Sequence, residues 1–272
     1  MERRNNYAIQ ASAARKLFLS YDQEGLIRKL GLKAEAGWLY TRFFDCPYRI
    51  NRLNGSMERF CGDAWQEANS FNEVLTLMDL ICDSREDRFL TGRWKNLTDF
   101  GNQFHRNLLE EGADPFAALI QEEKADFVRA CEKMGGRAIK GADISYAIPA
   151  FQELSIALFF WEGDEEFAPR VRYLWDENAL MYLKYETMYY AVDFLKERLR
   201  SCMEGGTAAV RPKSEFSKYT NILPWGGTGK QQTLQVFEKF GKSVDFWVSR
   251  CYHLYAGLRK LTRRHRNWRI PL

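Results

Sequence analysis

The chain has 272 residues, 46% of them apolar and 15% aromatic, enough for one large packed domain and incompatible with global disorder. Its net charge of +4 divides unevenly: residues 201–272 carry 13 Lys/Arg against 4 Asp/Glu, and the first 200 carry 27 against 32, so a body of −5 bears a tail of +9. The longest apolar run, Ile156–Trp161, is too short to span a bilayer, and the charged start MERRNNYAIQ lacks the apolar segment of a secretory signal.

Residues 5–20 place Tyr7, Ala11, Ala14, Leu17 and Phe18 on one face at helical spacing. A short helix over 22–30 follows, with Asp22 as its cap and Gly31 as its stop. Two β-rich runs, 38–44 and 48–53, flank Asp45-Cys46-Pro47 and predict a hairpin. Ser70 and Glu73 then form a capping-box pattern ahead of the apolar stripe Val74, Leu77, Met78 and Ile81. Asp114-Pro115 opens one further helix that Gly135-Gly136 should end. Runs 144–148, 154–161 and 171–175 read as strands, after which Asp176 caps a helical region running with one break to Leu199.

Segregated in this order, the elements predict an α+β fold: antiparallel hairpins packed with several helices, plus a long C-terminal amphipathic helix. The expected division is a domain over 1–200, a linker over 201–229 and a basic helix over 230–272. Within that helix Phe237, Phe240, Val244, Trp247, Cys251, Leu254, Leu258 and Leu261 alternate spacings of three and four, a heptad seam. Its Phe and Trp are bulky for a two-stranded zipper, so docking on its own domain is preferred to a helix-mediated homodimer.

Several familiar chemistries find no support. PWGGTGKQQT (224–233) has Pro224 where a phosphate loop needs its first Gly and Gln231 where it needs a hydroxyl. The histidines His105, His253 and His265 are scattered, without zinc-protease spacing, and no C-x-x-C links any two of the six cysteines. Reduced, mostly buried thiols in a cytoplasmic protein are the expectation, with no metal site and no cofactor named.

Two charged features remain. Glu162, Asp164, Glu165 and Glu166 crowd into five residues between two strands, where carboxylates repel and one can be pushed toward acid chemistry or toward a divalent cation. The same residues suit a soluble turn. At the other end Arg259, Lys260, Arg263, Arg264, Arg266 and Arg269 surround Trp268 with no acid among them, a composition suited to nucleic acid or an anionic surface. A solvated helix end, its cations complementing the helix dipole, is the simpler reading.

The motif Trp161-Glu162-Gly163-Asp164-Glu165-Glu166-Phe167, followed by Leu174-Trp175-Asp176, Tyr182-Leu183 and Glu186, resembles the bacterial and archaeal family called domain of unknown function 3786. Leu90-Thr91-Gly92-Arg93-Trp94, the Phe104 region and Gly141-Ala142-Asp143 fit in the same order, so the likeness covers about residues 6–199. It departs at Met78 and after Pro149. Some relatives resemble carriers of cysteine-rich iron–sulfur segments, which this chain lacks, so the resemblance implies a domain boundary rather than an activity.

The reading that follows is a small-ligand-binding or accessory domain whose Arg93, Trp94, Asp143, Trp161, Asp164, Glu165, Glu166 and Asp176 gather around one hollow. The two tryptophans would supply flat faces, Arg93 an anion contact and the carboxylates acceptors. An interaction protein acting through the basic C-terminal helix is the first alternative, and a carboxylate- or metal-dependent enzyme the second.

Overall fold

The computed structural model describes residues 6–100 and 114–205. The C-terminal helix, its basic cluster, the Gly-rich stretch at 224–233 and the Phe104 region lie outside the described residues. Two helices, α1 (Asn6–Leu19) and α2 (Gln23–Leu30), precede the strands β1 (Lys33–Glu35), β2 (Trp38–Phe43), β3 (Cys46–Asn51), β4 (Met57–Cys61) and β5 (Ala64–Glu67). Helix α3 (Phe71–Asp83) follows, then β6 (Trp94–Asn96), α4 (Pro115–Glu122), α5 (Lys124–Lys133) and β7 (Arg137–Ala138). Strands β8 (Ile144–Phe151), β9 (Leu154–Trp161) and β10 (Arg170–Asp176) lead into α6 (Tyr185–Met203). The fold is α+β. None of the described helices is long and apolar enough to cross a membrane.

The first five strands form a meander in the order β1-β2-β3-β4-β5, and the second sheet runs β6-β10-β9-β8-β7. All pairings are antiparallel. Turn chemistry fixes the first sheet. Ala36-Gly37 and Phe44-Asp45 are two-residue loops with every central residue at positive φ, the backbone twist that matches paired strands. The predicted Asp45-Cys46-Pro47 turn is therefore displaced by one residue, and Pro47 pairs with Arg42 inside the ladder. Strands β4 and β5 had no sequence reading of their own.

Helix starts differ from expectation where side chains are drawn elsewhere. Asp22 occupies the cap of α2 without a side-chain bond, while Gly31 ends that helix in the left-handed region at φ 60°. Asp114 does cap α4, accepting from the Phe116 amide at 3.0 Å with Pro115 first in the helix. The single helix predicted from there to Gly135 breaks at Glu123 into α4 and α5. Ser70 caps α3 by position only, and Glu73 turns inward. Residues 201–203 extend α6 rather than opening a linker.

The helices pack in a layer with α3 between α1 and α6, and α5 against the other side of α6. Phe194 of α6 stacks on Phe43 of β2, centroids 5.4 Å apart and planes 3° from parallel, which seats the first sheet on this layer. Trp175 of β10 is fully buried, and α4 rests against that strand.

Candidate functional site

The predicted site residues divide into two corners. At the end of β10, Asp176 pairs in register with Trp94. Its carboxylate accepts from the amides of Thr91, Gly92 and Asn178 and from the Thr91 hydroxyl, at 2.7–3.3 Å. Buried to 3% exposure, Asp176 thus ties down the loop before β6, and its acceptor capacity is taken. Arg93 is exposed and paired with Glu177.

The acidic corner lies at the other end of the strand, where Arg170 of β10 pairs with Trp161 of β9. Asp164 accepts from the amides of Phe167 and Glu166 at 2.8 and 2.9 Å, and these bonds hold its carboxyl below the ordinary range. Asp143 accepts from the Glu162 amide at 2.9 Å, Glu162 pairs with Lys124, and Gly163 exchanges bonds with the Gln121 side chain. A Cβ on Gly163 would stand 2.6 Å from the Pro169 nitrogen, so the turn closes only around glycine. Glu165 and Glu166 are exposed.

Six residue steps along β10, from Arg170 to Asp176, separate the positions paired with Trp161 and Trp94, about 20 Å at a strand's rise. The shared hollow does not form. The structure joins Asp143 to Trp161–Glu166 and Arg93–Trp94 to Asp176, and holds the two groups at opposite ends of one strand.

A different constellation stands on the outer face of the first sheet. Register places Lys33, Tyr40, Arg49, Glu58 and Glu67 in one row across all five strands. Trp38 lies beside this row on β2, and Phe60 with its partner Trp65 lies on the other side. The Arg49 guanidinium is clamped between Trp38 and Trp65, 4.3 and 4.5 Å from the two ring centroids, and ion-paired with Glu58 at 2.5 Å. Tyr40 and Phe60 meet Trp65 edge-on at 6.1 and 5.3 Å. These side chains are partly exposed, Phe60 to 36%.

The profile of the family described as a domain of unknown function, DUF3786, matches residues 22–198, about two thirds of the chain. The chain belongs to that family. No curated protein and no solved structure matches. The DUF3786 match begins after α1, somewhat later than the likeness read from the motifs, and it takes in both sheets, including the whole outer row.

Inside the DUF3786 domain two ionic clusters sit on α3. Glu73, fully buried, accepts from Tyr48 at 2.7 Å and Arg59 at 2.5 Å through one oxygen, while its second oxygen has no partner among the described residues. Arg198 of α6 is buried nearby, and burial pushes the neighbouring Glu197 carboxyl up to about 7 despite a bond from Asn72. At the far end of α3, Asp79 accepts from the Lys184 amide at 2.8 Å and so caps α6. Burial and the bond to Asp83 push Asp79 up to about 6. Against burial, bonds with Asp79 and Lys184 hold Asp83 below the ordinary range. Both clusters join elements: the first ties α3 to β3 and β4, the second ties α3 to the start of α6. Among the described residues no group of three or more His, Cys, Asp or Glu could hold a metal ion.

The sequence signal for the outer face was period-two. Trp38 and Tyr40 alternate with Leu39, and Arg49 alternates with Tyr48 and Ile50, so aromatic residues occupy positions whose pattern marks them as solvent-facing.

Proposed function

We propose that this DUF3786 domain is an accessory binding module that recognises a partner protein through the outer face of its first sheet. The observation that carries the reading is the Trp38–Arg49–Trp65 clamp on a partly exposed surface. Trp, Tyr, Phe and Arg are the residues enriched in binding hot spots, and rigid rings with a pinned guanidinium bind at small entropic cost. Charge on the face is balanced, with Lys33, Arg42 and Arg49 against Glu35, Glu58 and Glu67; Lys33 and Glu35 pair with each other on β1, and the rest divide as Arg42 and Arg49 on β2 and β3 and Glu58 and Glu67 on β4 and β5. That pattern suits a near-neutral protein segment with the opposite polarity and does not suit a polyanion.

Site-directed photocrosslinking in cells tests the reading. A benzoylphenylalanine replacing Phe60 should give a discrete adduct that Trp65→Ala removes, whereas the same probe replacing exposed Arg28 should give none. Adducts equal at both positions, or insensitive to Trp65→Ala, would reject it.

A second reading rests on the +9 balance of residues 201–272. Its Arg259, Lys260, Arg263, Arg264, Arg266 and Arg269 supply a salt-sensitive contact to nucleic acid or an anionic surface. Deleting residues 259–272 should remove binding to single-stranded nucleic acid or anionic vesicles at low salt. Undiminished binding after the deletion, or none by the full chain, would dismiss it.

A further inference from the structure

The inner face of the same first sheet carries two thiols that the sequence separates by fifteen residues. Phe43 pairs with Cys46 across β2 and β3, and Cys61 with Ala64 across β4 and β5. Between these pairs, β3 and β4 are in register as Tyr48 with Arg59 and Ile50 with Met57. Two further residues of the same register set Cys46 opposite Cys61. The Cys46 thiol donates to the Phe60 carbonyl at 3.4 Å, which holds its sulfur beside the start of the Cys61 peptide. Directly opposed residues on antiparallel strands have Cα atoms about 4.5–5.5 Å apart. A disulfide spans Cα separations of about 4.4–6.8 Å.

We propose that Cys46 and Cys61 form a redox-active dithiol that closes to a cross-strand disulfide by exchange with a low-molecular-weight disulfide. The roles divide by electrostatics. Arg59 donates through Nε to the Cys61 sulfur at 3.2 Å, which sets a guanidinium against the sulfur that attacks first. Arg59 and its carboxylate partner Glu73 are both buried beside these thiols. Burial pushes the Cys46 thiol up, against the pull of Arg198 and Arg59, and suits it to act second. Both cysteines are 5% exposed and lie next to the exposed turn residues Asp45 and Gly62-Asp63, at the open end of the sheet.

In the first step the Cys61 thiolate attacks one sulfur of the small disulfide, forming a mixed disulfide and releasing one small thiolate. Cys46 then loses its proton to solvent and attacks the Cys61 sulfur, expelling the second small thiolate. Two protein thiols are oxidised by two electrons and one disulfide is reduced to two thiols. Cys82 and Cys131 are buried, and burial raises both, Cys82 to about 12.

The experiment exposes the native full-length protein to oxidised glutathione, quenches with acid, alkylates and maps cysteines by tandem mass spectrometry. A Cys46–Cys61 link should form with circular dichroism unchanged, ahead of modification at half-buried Cys202. Cys46→Ser should accumulate a glutathione adduct on Cys61, and Cys61→Ser should slow modification of Cys46 at least about tenfold. A link to any other cysteine, or a Cys46–Cys61 link that forms only in urea, overturns the proposal. Should a serine variant fail to fold, the order of modification in the unaltered chain decides the matter alone.

Discussion

The two five-stranded sheets of this domain solve burial differently. In the second, β8 and β9 are buried along nearly their whole length, and Trp175 on β10 is fully enclosed. In the first, β3 alternates buried and half-buried residues without a slip. The centre of the second sheet is thus covered on both faces, and the first sheet presents one face outward. An outward face is ordinarily polar. Here it carries Trp38, Tyr40, Phe60 and Trp65 around one guanidinium, and the inward face carries Arg59 and two thiols. Chemistry that the second sheet excludes is concentrated on both surfaces of the first.

The sharpest way to break this comparison is to remove one tryptophan from each sheet. Trp175→Ala leaves a cavity in a closed core and should cost about 3–5 kcal/mol in urea unfolding. Trp65→Ala removes a partly exposed ring and should cost only about 1 kcal/mol, roughly the worth of its cation–π contact, while abolishing the Phe60-position crosslink. Equal costs would mean that the outer face is core after all.

Removing the carboxylate that anchors the inner face of the first sheet comes next. Glu73→Ala strands Arg59 in the interior and should destabilise by about 3 kcal/mol, somewhat more than Glu73→Gln, which keeps an acceptor for Tyr48 and Arg59. Urea midpoints of the two variants measure it. If the alanine variant matches the unaltered protein, the network is not what holds sheet to helix.

A smaller effect than that of either buried substitution is expected of pH, acting on α6. The folded state raises Glu197 from 4.5 to about 7, chiefly by burial, so the folded protein binds this proton more tightly than the unfolded chain. Its contribution to stability is complete below about pH 4.5 and is lost as pH rises through 7. Glu197→Gln should therefore stabilise by on the order of 1–2 kcal/mol at pH 8 and change nothing at pH 4.5. Thermal unfolding at the two pH values distinguishes this from a uniform shift.

The same contrast explains which parts of the fold were legible in the residues. Apolar runs marked β9 over its full span, β10 to within one residue at each end and β8 short of its last three residues, because strands with so many buried positions are identified without their partners. Strands β4 and β5 are short, five and four residues, and mix Glu58, Arg59, Gln66 and Glu67 among their apolar positions, so no clean alternation marks them. Glu73 was misread because capping-box spacing cannot tell an amide from a buried guanidinium as the carboxylate's partner. The two Trp-flanked corners share residue types and differ only in their place along β10, which spacing in the chain does not encode. The Cys46–Cys61 opposition requires the β3–β4 register, a property of two strands together.

One turn carries more than its length suggests. Phe44 and Asp45 both stand in the left-handed region, at φ 46° and 54°, where Asn-Gly would be at ease and a bulky ring is strained. Phe44 persists there because its ring is enclosed against Phe43 and Phe194 and its amide donates to Ala150 at the end of β8. Local comfort and long-range attachment therefore pull in opposite directions at a single peptide. An engineer who relaxed this hairpin with a better turn sequence would be unfastening the rivet between the two sheets.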